Sequence, residues 1–120
     1  MQKNLYKNSY DLLQNDLKNK ILLLDGAMGT MIQQEKLTAS DFGGEKYEGC
    51  NDYLVLQRPD VIKNIHKRYL EAGSDIIETN SFGALDIVLK DYDLEDKAFE
   101  MNKAAAELVN EAIAEYRSEH

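Results

Sequence analysis

At 120 residues the chain can bury one hydrophobic core and is too short for two domains. Its 43% hydrophobic and 30% charged residues support a packed core over disorder. Its net charge of -8 argues against nucleic acid or an anionic membrane surface as a partner. No apolar run approaches the roughly 20 residues of a membrane span. The polar start Met1-Gln2-Lys3-Asn4 lacks a signal-peptide core. The one cysteine, Cys50, excludes an internal disulfide, fits a reducing cytoplasm, and cannot by itself hold a structural zinc.

In chain order, residues 1–9 are polar and expected to be mobile. Leu12, Leu13 and Leu17 at helical spacing predict a short helix over 10–20, with Ser9 as its N-cap. The apolar run Ile21-Leu22-Leu23-Leu24, ending at Asp25, suits a strand buried on both faces of a parallel sheet. Residues 26–58 form a long connection with a turn or two of helix over 30–34 and turns at 41–44 and 48–52. Apolar side chains such as Ile32, Phe42, Tyr53 and Leu54 make it too hydrophobic for a free linker, so it is expected to fold over the rim of the sheet.

Pro59 stands where a first helical residue should, with Asp60 in the first turn. Val61, Ile62, Ile65, Tyr69 and Ala72 form one apolar stripe, and Gly73 stops the helix. A second short strand follows over 75–80. Residues 84–92 suggest a short helix interrupted at Asp93 and Leu94. A long helix then runs from 95 to about 116, lined by Ala98, Met101, Ala105, Leu108, Ala112 and Ile113. This twofold strand–acid–loop–helix plan predicts an α/β fold: the opening units of a larger alternating βα structure.

Each strand ends in a carboxylate, then polar or small residues, where α/β proteins usually place ligand-contacting atoms. Asp25 can cap its own turn through the amides of residues 27 or 28, or face a cation such as a ligand's ammonium. The two roles are compatible. Gly26-Ala27-Met28-Gly29-Thr30 lacks both the Walker spacing with its lysine and the three-glycine dinucleotide pattern. Its successive amides can still hold a carboxylate. Glu78-Thr79-Asn80-Ser81-Phe82 carries more polar groups than a strand end needs, although Glu78 could pair with a lysine and Thr79 or Asn80 could cap the next helix. Cys50 reads as an inert thiol in a turn and His66 as the edge of an apolar stripe. His120 reads as a disordered terminus. The acids Glu95, Asp96, Glu107, Glu111 and Glu115 read as a solvated helix face.

Several stretches together resemble the homocysteine S-methyltransferase domain of cobalamin-dependent methionine synthases. They are Leu24-Asp25-Gly26-Ala27-Met28-Gly29-Thr30-Met31-Ile32-Gln33, Asn51-Asp52, Arg58-Pro59-Asp60-Val61-Ile62, Ile65-His66, the run from Tyr69 to Ala84 (with Glu78-Thr79-Asn80-Ser81-Phe82-Gly83) and Glu100-Met101-Asn102. The resemblance covers roughly residues 20–116. It implies a (β/α)8 TIM barrel, of which this chain would supply the first two βα units after a short N-terminal helix: 1–20 as tail and helix, 21–120 as partial barrel. It implies a homocysteine pocket lined by Asp25 and Gly26, with Ala27 and Met28 beside them, and by Glu78, Thr79, Asn80, Ser81 and Phe82. It also implies zinc and cobalamin in the complete enzyme, the zinc on three cysteines that have no counterpart here. Without zinc, a homocysteine thiol stays near a free pKa of about 8.5 and is mostly protonated at neutral pH.

A whole barrel takes about 250 residues. The chain is therefore expected to be an amino-terminal fragment of a methyltransferase that converts homocysteine to methionine, cytoplasmic and inactive alone, with no cofactor of its own. One alternative is a non-catalytic subunit that completes a split barrel with a separately encoded remainder. Another is a related homocysteine methyltransferase using a betaine or S-methylmethionine donor. Resemblance to the cobalamin enzyme is stronger through the 25–33 stretch and the Asn51-Asp52 turn.

Overall fold

The computed structural model describes the backbone of residues 2–120 and the side chains of residues 8–120. The expectation of an α/β fold is overturned. The chain is 68% helical, and no strand or sheet forms among the described residues. The described residues form six α-helices, with short 3-10 turns between several of them: α1 (Gln2–Asn19), α2 (Gly29–Gln34), α3 (Leu54–Gln57), α4 (Pro59–Glu71), α5 (Asp86–Leu89) and α6 (Ala98–Glu119).

The two segments expected to be strands do lie side by side, but they pair at a single parallel bridge, Leu24 with Ile76. Ile76 N–H donates to Leu23 C=O at 3.1 Å and Asp25 N–H to Ile76 C=O at 2.9 Å. Extending a parallel ladder upward would need Glu78 N–H on Asp25 C=O, and downward Leu23 N–H on Ser74 C=O. Side-chain carboxylates take both amides instead. Asp25 Oδ2 accepts from Glu78 N–H and Asp75 Oδ2 from Leu23 N–H, each at 3.0 Å. Lys20 Nζ pairs with Asp75 at 2.9 Å. The Leu23 amide, followed by Lys20, holds the Asp75 carboxyl below its ordinary range. The acids that end or begin each segment thus stop the pairing they were expected to flank.

Helix α1 is longer than the sequence suggests. It runs through residues 2–9, which were expected to be mobile, and Ser9 lies inside it, not at its cap. Met1 lies outside the described residues. Leu12, Leu13 and Leu17 of α1 are all exposed, so these three do not join the core. The carboxyl-terminal helices match the periodic pattern. Pro59 opens α4 as expected, and Val61, Ile62 and Ile65 are buried, although Ala72 is exposed. Gly73 takes a φ of 108°. Its own amide bonds Leu70 C=O at 3.1 Å and the Ser74 amide bonds Tyr69 C=O at 3.0 Å, a Schellman stop that requires the left-handed residue. Asp93, at φ 54°, breaks the chain between the turn after α5 and the approach to α6.

The core is built from α4 and α6 with the long connection wrapped onto them. Ile62, Ile65, Met101 and Ala105 are fully buried, beside Leu54, Leu89 and Leu94. From the connection come Ile32, Phe42, Cys50, Tyr53 and Val55. Its apolar content is therefore spent on packing, as the composition indicated. Arg58 ties the connection to α4 by reaching both Asp41 and Asp60. The acidic face of α6 is not merely solvated. Glu115 bonds Lys63 at 2.8 Å and Lys67 at 3.2 Å, Glu111 lies 3.6 Å from Lys63, and Glu119 lies 2.8 Å from Lys67. No helix of the described residues is long and apolar enough to cross a membrane.

Candidate functional site

Where the two extended segments give way to loops, the chain forms a small open cavity of about 180 Å³. It is lined by Asp25, Gly26, Met28, Glu78, Thr79, Asn80, Ser81 and Phe82. Eight of the nine residues singled out in the sequence therefore meet in one place. The ninth, Ala27, does not line the cavity; its carbonyl accepts the Tyr69 hydroxyl at 2.6 Å.

The single parallel bridge explains this meeting. In that register Asp25 lies across from Ile77, one residue before Glu78, and Asp25 Oδ2 accepts the Glu78 amide across the gap. The expectation that Asp25 would cap residues 27 or 28 is corrected: its acceptor serves the other segment. Gly26 is small for a reason, since a Cβ there would lie 3.3 Å from the Tyr69 hydroxyl. That hydroxyl anchors the first loop to α4.

The second loop is tied more heavily. Thr79 Oγ1 and Ser81 Oγ share a hydrogen bond of 2.6 Å. Asn80 is 8% exposed and its Nδ2 donates to Asn51 C=O at 3.0 Å. The Gly83 amide donates to Asp52 Oδ1 at 3.0 Å, and Asn102 Nδ2 donates to Ala84 C=O at 2.7 Å. Thr79 and Asn80 do not cap the next helix, because α5 begins after Leu85 with no side-chain cap. Phe82 stands fully exposed at the mouth.

Two carboxylates and several hydroxyl and amide groups surround the cavity, and no lysine, arginine or histidine lines it. Such a lining suits a cationic group, for which charged hydrogen bonds are the strong ones. Larger grooves exist elsewhere. One, about 600 Å³ between α4 and α6, is walled by Lys63, Lys67, Glu111 and Glu115, whose charges already satisfy one another.

Two groups outside the cavity change their reading. His66 was placed at the edge of the α4 stripe but is wholly buried, and neither ring nitrogen has a hydrogen-bond partner among the described residues. Burial lowers its pKa below the ordinary 6.5, while the Asp25 carboxylate pulls weakly the other way. The spacing of Ile62, His66 and Leu70 along one helical row was the signal for its burial. His120, expected to be disordered, stacks on Tyr116 with ring centres 4.1 Å apart.

Cys50 lies in the core at 3% exposure, and burial pushes its thiol pKa up. No three His, Cys, Asp or Glu side chains among the described residues cluster as a metal would need. These residues do not fit a thiolate-bound zinc. Roles for Tyr69, Asn51, Asp52 and Asn102 were not legible in the sequence, because each acts through a contact distant along the chain.

The family model for homocysteine S-methyltransferase matches residues 22–119, a span that includes both loops of the cavity and the helices that hold them. The chain belongs to the homocysteine S-methyltransferase family.

Proposed function

We propose that the cavity binds the amino-acid end of homocysteine, and that the chain serves a methyltransferase of the methionine synthase type. The observation that carries this is the pairing of Asp25 and Glu78 around a cavity without a basic residue. A homocysteine ammonium would sit between the two carboxylates. Its carboxylate would take backbone amides of the glycine turn, and the exposed Phe82 ring would lie along the methylene arm. In the reaction the thiolate sulfur forms a bond to the methyl carbon as the donor–methyl bond breaks. The described residues supply binding and orientation. They offer no donor set for a metal that would activate the thiol. The 25–33 stretch and the Asn51-Asp52 turn favour a cobalamin-borne methyl over a betaine or S-methylmethionine donor. A free, buried cysteine accords with a reducing, cytoplasmic setting.

A second reading, a non-catalytic subunit that works with another polypeptide, is favoured by one observation. Ile21 is 87% exposed, Leu23 56% and Leu24 55%, beside the outer backbone edge of the first segment. An extended segment of a partner would cover these side chains and pair with that edge.

Calorimetric titration of the full chain with L-homocysteine tests the first reading, with 4-mercaptobutanoate, which lacks the ammonium, as comparison. Homocysteine binds and mercaptobutanoate does so far more weakly. Glu78→Gln weakens homocysteine by about 10- to 100-fold, the worth of one charged hydrogen bond of about 1.5–3 kcal/mol. Equal binding of the two thiols, or none by homocysteine, sinks the reading.

A further inference from the structure

The wall of the cavity is held from behind by a turn that never enters it. The 3-10 turn Asn51–Tyr53 follows the buried Cys50 and leads into the fully buried Leu54, so the core fixes its position. From there it holds the second loop of the site at two points. The Asn51 carbonyl takes the Asn80 side-chain amide, and Asp52 Oδ1 takes the Gly83 backbone amide, each at 3.0 Å. On the other side, a Cβ on Gly29 would lie 3.9 Å from Asn51 Nδ2, so the turn also runs near the start of α2. A Cβ on Gly83 would sit 2.7 Å from Asp52 Oδ2, closer than real side chains allow. Asn80 and Gly83 bracket Ser81 and Phe82, two lining residues. The position of those two is thus set by contacts at either end of a four-residue arc.

We propose that Asp52 is a positioning residue for the ligand cavity: through the Gly83 amide it sets where Asn80, Ser81 and Phe82 stand, and so the cavity's fit to an amino-acid ligand. The inference rests on the homocysteine reading above. Its physical basis is preorganisation. A loop already fixed in its binding geometry loses no further conformational freedom on binding, and a loosened one must lose that freedom at the ligand's expense. An acceptor at Asp52 is required, and a negative charge is not, because the bond runs to a backbone N–H. Space at Gly83 is required for the same bond to close.

The test is titration of the full chain with L-homocysteine, performed well below each variant's own Tm. Asp52→Ala weakens binding by about tenfold or more, whereas Asp52→Asn, which keeps an acceptor oxygen, stays within about threefold of the parent. Gly83→Ala weakens binding by about tenfold in the parent and adds little in the Asp52→Ala background, since the side chain it strikes is gone. Gly83 does not occupy the left-handed region, so alanine there meets Asp52 without added backbone strain. If Asp52→Ala fails to fold, Asp52→Asn and Gly83→Ala carry the test. A lowered Tm with unchanged Kd in Asp52→Ala shows a structural role only and overturns the proposal. Asp52→Asn as weak as Asp52→Ala assigns the effect to charge and also overturns it. Absence of binding by the parent chain overturns the homocysteine reading itself, and is distinct from either result.

Discussion

At the scale of single residues, acids decide more of this chain than their surface number suggests. Asp25, Asp75 and Asp52 each accept a backbone amide from a segment more than 30 residues away in sequence. Each bond ties a loop to a place that local propensity would not have chosen. His66 is the opposite case, a titratable ring in the core with no hydrogen-bond partner among the described residues. Its folded pKa lies below 6.5 because burial disfavours the imidazolium. The unfolded chain therefore binds the proton more readily. Stability is complete above about pH 6.5 and falls as pH drops toward the folded-state pKa. Thermal melts from pH 7.5 down to 5 are expected to show a falling Tm, and His66→Leu is expected to remove most of that dependence. It should also raise stability at pH 7.5 by about 1 kcal/mol, because an unpaired buried polar group is replaced by an apolar one. A parent Tm that is flat over this range would refute the assignment.

At the scale of elements, the interface of α4 and α6 carries the fold. Two kinds of interaction meet there, and their magnitudes differ. Ile65 is fully buried, and Ile65→Ala should cost about 2–5 kcal/mol, a large part of a small domain's total. The lysine–glutamate ladder of Lys63, Lys67, Glu111 and Glu115 is exposed on its outer face, where side-chain entropy and solvent screening leave little net gain. Chemical denaturation by urea should show a large drop in midpoint for Ile65→Ala. Raising salt to molar strength should shift the parent's Tm only slightly, because most of the interface is apolar. A strong salt effect would move the weight to the ladder.

For the molecule as a whole, shape and exposed surface tell the same story. The Cα radius of gyration is 15.8 Å, above the roughly 13.6 Å expected of a compact chain of this length. Helix α1 leaves Leu12, Leu13 and Leu17 exposed, and Ile21, Leu23 and Leu24 are exposed as well. Neither the apolar stripe of α1 nor Ile21, Leu23 and Leu24 has a covering layer among the described residues. Exposed apolar residues along an unpaired backbone edge favour association. Sedimentation velocity should show the chain self-associating as its concentration rises, and Leu24→Lys should shift it toward monomer. A parent that stays monomeric throughout would show that this edge is adequately solvated.

Much of this protein was determined by the sequence alone. The start of α4 at Pro59, its stop at Gly73, the stripe of α6 and the break near Asp93 all follow from local rules of capping, periodicity and backbone conformation. Eight of the nine loop residues singled out from the sequence line one cavity, since they end two similar neighbouring segments, and the resemblance to homocysteine methyltransferases ran through those same residues. Tertiary structure decided the rest. Whether 21–25 and 75–80 would become strands depended on where the Glu78 and Leu23 amides found acceptors, and carboxylates won over backbone carbonyls. The burial of His66, the link from Tyr69 to Ala27 and the hold of Asp52 on Gly83 each join residues far apart in the chain. Local propensity cannot encode such contacts, since they exist only once the core of α4 and α6 has brought the first loop to Tyr69 and the second to the Asn51-Asp52 turn.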